Sequence, residues 1–305
     1  MKTRLVTFRS TDGLRLPGLL YEPGRPSREA AIFLHGNGDS SVFYSARRTN
    51  AFGKELTRRG ISWFAFNNRG AHLIKRLNRR RGSRSDSVTV GMTYELVRDC
   101  VPDIEGAIAM LREEGYRRFH LVGHSTGANK IAIFNRRRPR NRVARYVLLA
   151  PGDDVGIYYD TLGEKRFHRA LETARSRVES GRGLELAPPS VSFFPISWMS
   201  LLDTIDPDGD YNTFPFLETM KGLALSRRTP FRDFRTIRKP TLALYGAEDE
   251  FCFGDVPRCV GILEEKSREP RRFETVIIPG TDHGFSGEEH RAGAIVARFL
   301  SERSR

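Results

Sequence analysis

The chain has 305 residues, of which 39% are hydrophobic, and carries a formal net charge of +14. This length fits one large α/β domain with an insertion, or two ordinary domains. No segment approaches the roughly 18 uninterrupted apolar residues of a membrane span, and the first residues lack the apolar stretch of a signal peptide, so we expect no membrane span and a cytoplasmic location.

The first half of the chain alternates predicted strands with predicted helices. Two strands, at 4–10 and 15–24, flank a turn at Asp12-Gly13. Apolar runs typical of strands buried on both faces follow at 30–34, 61–66, 118–122 and 146–150. Helical spacing occurs at 46–59, at 94–114 and from about 126, and Pro102 predicts a kink or a late start of the second helix.

The alternation stops after Asp154 and returns near residue 241. Residues 155–236 contain no convincing buried strand but include an amphipathic helix from Phe167 to Val178. Strands at 241–245 and 274–278 then alternate with helices again. This order predicts a mostly parallel sheet with helices on both faces. We therefore expect a core of residues 1–154 and 237–305 and a helical cap of residues 155–236.

A serine stands between two glycines where a strand turns into a helix. The stretch is Gly123-His124-Ser125-Thr126-Gly127. Glycines two positions before and after the serine allow the close backbone approach that a sharp strand-to-helix turn requires. The hydroxyl of Ser125 then stands at a helix N-terminus, where developing negative charge is favoured. Ser125 is the predicted nucleophile.

A serine nucleophile needs a histidine base that is oriented by a carboxylate. His283 is the predicted base, because it lies on a glycine-flanked loop after the last strand; the alternative is a solvent-exposed loop histidine. Asp249, at the end of another strand, is the predicted carboxylate. Its neighbours Glu248 and Glu250, and the pair Asp153 and Asp154 one strand earlier, are the alternatives. Asp282 adjoins His283 and is poorly placed to orient it.

An oxyanion site is predicted from backbone N–H groups, which are fixed in place before charge develops. One is the N–H of Thr126, directly after the nucleophile. The other comes from the loop after the strand at 30–34, with Asn37 as the first choice and Gly38 as the alternative. Asn67, Asn68 and Arg69 follow the strand at 61–66 near the same rim. They either contact substrate or hold the neighbouring loops by hydrogen bonds, and we favour the second role.

Together these motifs resemble the α/β-hydrolase superfamily in its serine esterase form. The resemblance rests on the motifs HGNG, GHSTG, GAED and DHGF at residues 35–38, 123–127, 246–249 and 282–285. It implies an eight-stranded, mostly parallel sheet with a helical cap inserted after the sixth strand, and it implies no cofactor and no metal. Residues 67–71 and 123–130, with the run between them, are loosely similar to a branch that includes siderophore-ester hydrolases.

The predicted function is hydrolysis of a carboxylic ester, or an amide, of a small to medium-sized molecule through an acyl-enzyme on Ser125. An acyltransferase or a thioesterase with the same triad is one alternative. The oligomeric state is not indicated. Aromatic residues of the cap are expected to divide between packing and an apolar pocket over Ser125: Tyr158, Tyr159, Phe193, Phe194, Trp198, Phe214 and Phe216.

Arginines supply most of the positive charge and form two clusters, at 75–84 and 136–145. A non-catalytic protein that binds nucleic acid or an acidic partner through this surface is a further alternative. Neither cluster is interleaved with aromatic residues, so we expect solvated faces and loops and no nucleic-acid partner. The charge favours anionic substrates over cationic ones. The three cysteines lack C-x-x-C spacing, which predicts small buried hydrophobic residues without a disulfide or a zinc site.

Overall fold

The computed structural model describes residues 1–43, 46–269 and 272–302. Its strands are β1 (Lys2–Arg9), β2 (Arg15–Glu22), β3 (Glu29–Leu34), β4 (Ser62–Phe66), β5 (Lys75–Arg81), β6 (Arg84–Val90), β7 (Arg118–His124), β8 (Val143–Leu149), β9 (Thr241–Gly246) and β10 (Phe273–Ile278). Its α-helices are α1 (Ala46–Arg58), α2 (Cys100–Glu113), α3 (Thr126–Arg137), α4 (Asp154–Leu162), α5 (Glu164–Glu179), α6 (Trp198–Ile205), α7 (Phe216–Lys221), α8 (Val256–Lys266) and α9 (Glu289–Ser301).

Eight strands form the central sheet in the order β1-β2-β4-β3-β7-β8-β9-β10. The strand β2 pairs antiparallel with both β1 and β4. The remaining neighbours in this sheet, β4-β3-β7-β8-β9-β10 in that order, are all parallel. The inner strands are almost wholly buried, which explains their continuous apolar runs. The predicted eight-stranded, mostly parallel sheet is confirmed, and α2 starts late, two residues before Pro102.

The first arginine cluster forms a β-hairpin that the sequence did not predict. Strands β5 and β6 pair antiparallel as a separate two-stranded sheet, in which Arg79 forms an ion pair with Asp86. Leu77 and Val88 are paired across the hairpin and pack against the main hydrophobic core. A single apolar residue in β5 gives too weak an alternation to predict a strand.

Half of the arginines in the second cluster form ion pairs within the described parts of the fold. Arg136 pairs with Asp210 and with the buried Asp233, and Arg137 pairs with Asp210 as well. These contacts fasten the end of α3 to the segment between β8 and β9, so much of the charge of this cluster stabilises the chain itself.

The segment between β8 and β9 carries helices α4 to α7. Residues from Val155 to Ile205 pack around a hydrophobic cluster separate from the main core, whereas Tyr211, Phe214 and Phe216 join the main core. The predicted cap boundaries at residues 155 and 236 stay a prediction. Within the parts of the chain that the structure describes, no helix combines the length and the apolar character needed to cross a bilayer.

A buried arginine anchors the loop after β4. The Nη2 atom of Arg69 lies 2.7 Å from Oδ1 of Asp103 in α2 and 2.9 Å from Oδ1 of Asp12 in the turn between β1 and β2. Burial raises the pKa of the Asp103 carboxyl, and the Arg69 guanidinium opposes that rise. The ion pair therefore joins three elements beside the sheet edge that holds the predicted site.

Replacement of Arg69 tests this anchor. We expect Arg69→Ala to reduce the free energy of unfolding by about 3–5 kcal/mol, because it leaves the Asp103 carboxylate buried without its counter-charge. Urea denaturation followed by circular dichroism measures the change. Asp86→Asn is the control, since it breaks an exposed ion pair with Arg79 and should leave the denaturation midpoint unchanged. Equal effects of the two variants would contradict the anchoring role.

Candidate active site

Ser125 lies at a strained turn between β7 and α3. Its φ and ψ angles are 56° and −127°, a conformation that residues other than glycine rarely adopt. A Cβ atom on Gly123 would lie 2.2 Å from the carbonyl oxygen of Gly127, and one on Gly127 would lie 2.0 Å from that of Leu34. Glycine is therefore required at both positions, as the sequence predicts, and the turn presents Ser125 at the carboxyl edge of the sheet.

The imidazole of His283 contacts the carboxylate of Asp249. The Nδ1 atom lies 2.9 and 3.0 Å from the two carboxylate oxygens. Nδ1 carries the proton, because a carboxylate only accepts, so Nε2 is the ring nitrogen left for the cavity. The Asp249 side chain is 1% exposed and that of His283 is 12% exposed. The ring of Phe251 packs edge-on against the imidazole at 4.7 Å.

The other carboxylates considered from the sequence have different contacts. Asp153 accepts the backbone N–H groups of Gly156 and Leu217, and burial raises its pKa to about 7. The carboxylate of Glu250 accepts the backbone N–H of His283 at 3.1 Å rather than the ring. Of these acids, Asp249 is therefore the one placed to orient the imidazole.

Two further histidines hold the loops of the site, roles that the sequence did not predict. Nε2 of His124 donates to the carbonyl oxygen of His283 at 2.8 Å. Nε2 of His35 accepts the N–H of Asn68 at 3.1 Å, and its Nδ1 donates to the carbonyl oxygen of Gly36. Burial lowers the pKa of His35 to about 3 and that of His124 well below its ordinary value, so both rings are neutral. The sequence offered one sign of these roles, because His35 lies in the HGNG motif and His124 in the GHSTG motif.

The loop predicted to supply an oxyanion donor lies beside Ser125. A Cβ atom on Gly36 would be 3.0 Å from that of Ser125, and Asn37 lines the same cavity as the serine. The backbone N–H of Thr126 belongs to the first turn of α3, where N–H groups have no acceptor within the helix. The Thr126 side chain is buried and its hydroxyl accepts from Tyr211 at 3.2 Å. Thr126 thus directly follows the serine in the chain, and Asn37 lines the same cavity as the serine.

The residues after β4 bind loops and do not line the cavity. The side-chain oxygen of Asn67 accepts three hydrogen bonds, from the Ser40 hydroxyl and from the N–H groups of Ser41 and Val42, at 2.8–3.0 Å. That of Asn68 accepts the N–H of Gly70. These contacts agree with the loop-holding role favoured from the sequence, and Asn67 fixes the chain just after the predicted oxyanion loop.

A cavity of about 650 Å³ opens over Ser125 and His283. This volume suits a small molecule. Of the aromatic residues considered from the sequence, Tyr158, Phe193 and Phe194 line the cavity, whereas Trp198, Phe214 and Phe216 are buried in packing. Among the residues described, no group of three or more His, Cys, Asp or Glu side chains is arranged to hold a metal ion.

Comparison with protein-family models matches residues 31–298 to the model described as the alpha/beta hydrolase family. A comparison with curated proteins gives no match. The family match covers the four motifs and all strands from β4 to β10.

Solved structures with a similar fold cover nearly the whole chain. An esterase domain of a Rhodothermus marinus protein is 17% identical, with a TM-score of 0.57 over 99% of this chain and 98% of that one. Est1E from Butyrivibrio proteoclasticus, bound to ferulic acid, is 15% identical, with a TM-score of 0.58 over 97% and 98%. The alpha/beta hydrolase GrgF from Penicillium sp. sh18 is 18% identical, with a TM-score of 0.59 over 98% and 97%. At these identities the similarity shows a shared fold.

The close packing at the turn yields a stability prediction. We expect Gly127→Ala to destabilise the protein by about 2 kcal/mol or more, because its methyl group would overlap the carbonyl of Leu34 and neither backbone can move freely. Gly261→Ala is the matched control in α8, where an added Cβ meets no atom within 4 Å. That change should be neutral or stabilise by up to about 1 kcal/mol. Equal shifts in the melting temperatures of the two variants, relative to the wild type, would contradict the packing argument.

Proposed function

Since the chain belongs to the alpha/beta hydrolase family, we propose that it is a serine hydrolase that cleaves carboxylic esters of small molecules through an acyl-enzyme on Ser125. The observation that carries this proposal is the contact of His283 with Asp249 at the wall of the cavity that Ser125 also lines. The strained turn that exposes the serine hydroxyl supports it further.

In the proposed first step, Nε2 of His283 removes the proton of the Ser125 hydroxyl as the oxygen attacks the ester carbonyl. Asp249 holds the tautomer that leaves Nε2 free and stabilises the imidazolium that forms. The imidazolium then donates its proton to the leaving alcohol. Water, activated by the same imidazole, hydrolyses the acyl-enzyme and restores Ser125.

The backbone N–H groups of Asn37 and Thr126 are proposed to bind the oxyanion. Preorganised donors of this kind stabilise charge that develops only in the transition state. The neutral ring of His35 supports one side of this arrangement, because it ties the carbonyl of Gly36 to the loop after β4. Asn67 supports the other side through Ser41 and Val42.

Five finer points remain predictions from the sequence. They are cleavage of amides, transfer to an acceptor other than water, cleavage of thioesters, a cytoplasmic location and the similarity to siderophore-ester hydrolases. A nucleic-acid partner gains no support from the second arginine cluster, because Arg136 and Arg137 are paired with acidic residues of the chain.

Removal of the proposed nucleophile is the direct test. We expect Ser125→Ala to lower kcat on short-chain esters by about 10⁴-fold or more, with the circular dichroism spectrum unchanged. A fluorophosphonate probe should label the wild type at the peptide that contains Ser125 and should not label the variant. The matched control is Thr161→Val, which removes another hydroxyl from the same cavity. If Ser125→Ala keeps more than about a tenth of the wild-type rate, the proposal is refuted.

The proposed carboxylate is tested against its neighbour in sequence. We expect Asp249→Asn to lower kcat by about 10³–10⁴-fold, because an amide does not stabilise the imidazolium and permits the wrong tautomer. Glu248→Gln changes an exposed side chain one residue away and should retain wild-type activity. Steady-state kinetics on one ester compares the two variants, and a greater loss in Glu248→Gln would reverse the assignment.

A further inference from the structure

The cavity over Ser125 is acidic, although the chain as a whole carries a net charge of +14. Among the described residues that line it there is no lysine or arginine, and four carboxylates line it: Asp39, Asp154, Asp160 and Glu250. A negatively charged substrate would meet like charge on several sides. The expectation from composition that anionic substrates are favoured therefore does not extend to the site itself.

Three of the four carboxylates already have a partner within the chain. Asp39 forms an ion pair at 2.6 Å, Asp160 forms one at 2.8 Å, and Glu250 accepts a hydrogen bond at 3.1 Å. Their partners are, in that order, Arg48, Lys221 and the backbone N–H of His283. These groups contribute negative potential, but the charges of Asp39 and Asp160 are already paired with a basic side chain.

Within the described parts of the chain, neither Asp154 nor Glu250 has a basic side chain within ion-pair distance, but the Glu250 side chain is exposed. Asp154 is only partly exposed, and its carboxylate accepts a hydrogen bond from its own backbone N–H. It is also not needed to cap α4, because Asp153 is the N-cap and accepts the N–H of Gly156 at 2.8 Å. Burial raises the pKa of Asp154 to about 6, and His283 opposes that rise. The carboxylate is thus ionised at neutral pH, poorly solvated, and at the wall of the cavity.

Aromatic rings line the same cavity as this carboxylate. Tyr158 follows Asp154 by about one turn of α4, its ring centroid lies 5.5 Å from that of Phe193, and Phe194 extends the group. All three line the cavity. The faces of aromatic rings attract cations, and a nearby carboxylate adds a direct counter-charge. A neutral substrate would contact the rings and leave the Asp154 carboxylate without an ion pair, whereas a cation would interact with both.

We propose that the cavity selects esters that carry an ammonium group, and that Asp154 binds this cation. The proposal rests on the proposed esterase function of Ser125 and names its substrate class. The carboxylate supplies the charge, and the rings of Tyr158, Phe193 and Phe194 contact the alkyl groups on the nitrogen. The carbonyl of the ester then lies between the cation site and Ser125.

Two pairs of isosteric esters test the proposal. Choline butyrate is compared with 3,3-dimethylbutyl butyrate, and methyl 4-(trimethylammonio)butanoate with methyl 5,5-dimethylhexanoate, so that the cation is placed on either side of the ester. We expect kcat/KM of the wild type to be higher by about tenfold or more for the cationic member of at least one pair. The selectivity is defined as kcat/KM for the cationic ester divided by kcat/KM for its neutral partner. It should fall close to 1 in Asp154→Asn.

A control variant distinguishes Asp154 from the general acidity of the cavity. Asp160→Asn removes another carboxylate of α4 that lines the same cavity but is paired with Lys221, so the selectivity should remain near that of the wild type. Asp154→Glu should restore part of the selectivity, because it returns the charge. Hydrolysis of the neutral esters reports folding of each variant, and Asp154→Ser replaces Asp154→Asn if that variant does not fold.

The outcomes separate the two proposals. Ser125-dependent hydrolysis of the neutral esters without preference for either cationic one overturns the cation proposal and leaves the esterase function standing. A cation preference that Asp154→Asn retains overturns the role of Asp154. Absence of hydrolysis of all four esters, together with no labelling by the fluorophosphonate probe, overturns the esterase function and with it the selectivity.

The pH dependence of the selectivity gives a second readout. The proposed chemical steps on Ser125 are common to both members of a pair, so their pH dependence cancels in the ratio, and the quaternary nitrogen does not titrate. The Asp154 carboxyl is neutral below its pKa of about 6, so the selectivity should decrease from pH 8 to pH 5 in the wild type, and by a much smaller factor in Asp154→Asn, where the neighbouring Asp153, with a pKa of about 7, still titrates. Other titratable groups interact with Asp154 from α4 and its N-cap, from α3 and from two loops: Tyr158, Asp153, Lys130, Tyr211 and His283. A flat wild-type profile would contradict the assignment.

Discussion

The close approach of three backbone segments beneath Ser125 is the constraint on which the rest of the structure depends. The end of β3, the end of β7 and the start of α3 meet where Gly127 faces the carbonyl of Leu34. Ser125 is held in its strained conformation by a hydrogen bond from its N–H to the carbonyl of Leu149 at 2.9 Å. Strain of about 1–3 kcal/mol persists there because the surrounding parallel strands leave the backbone no alternative. Ser125 and the loop that is proposed to bind the oxyanion are thereby brought to one edge of the sheet.

Three histidines meet at this edge and are distinguished by their surroundings. His35 and His124 are buried, and desolvation lowers the pKa of each, so they serve as neutral links between loops. His283 is partly exposed to the cavity and contacts a carboxylate. A base must accept and release a proton, which a ring held neutral by burial does poorly. The same difference explains why His124 positions the loop of His283 through its carbonyl without competing for the proton.

Features set by chain order were predictable from the sequence, whereas those that depend on distant partners were missed. The inner strands were predictable because burial on both faces demands continuous apolar runs. Ser125, Asp249 and His283 could be proposed together from the sequence because the ends of parallel strands share one edge. The hairpin of β5 and β6 was missed, because arginines give no alternating pattern. The isolation of Asp154 was also unpredictable, since it depends on Lys221 and Arg48 lying beside other carboxylates of the cavity.

Net charge and local charge act over different distances in this protein. Surface arginines such as Arg79 do not line the cavity, and salt screens interactions between exposed charges beyond about 8–10 Å. A carboxylate at the wall of a partly dehydrated cavity acts at contact, where the effective dielectric constant is lower and the interaction correspondingly stronger. A basic surface therefore opposes the approach of a cation only weakly, whereas under the proposed selectivity the acidic lining acts on the cation at contact. Among the described residues that line the cavity, Asp154 and Glu250 are the carboxylates without an ion pair, and Asp154 is the less exposed of the two.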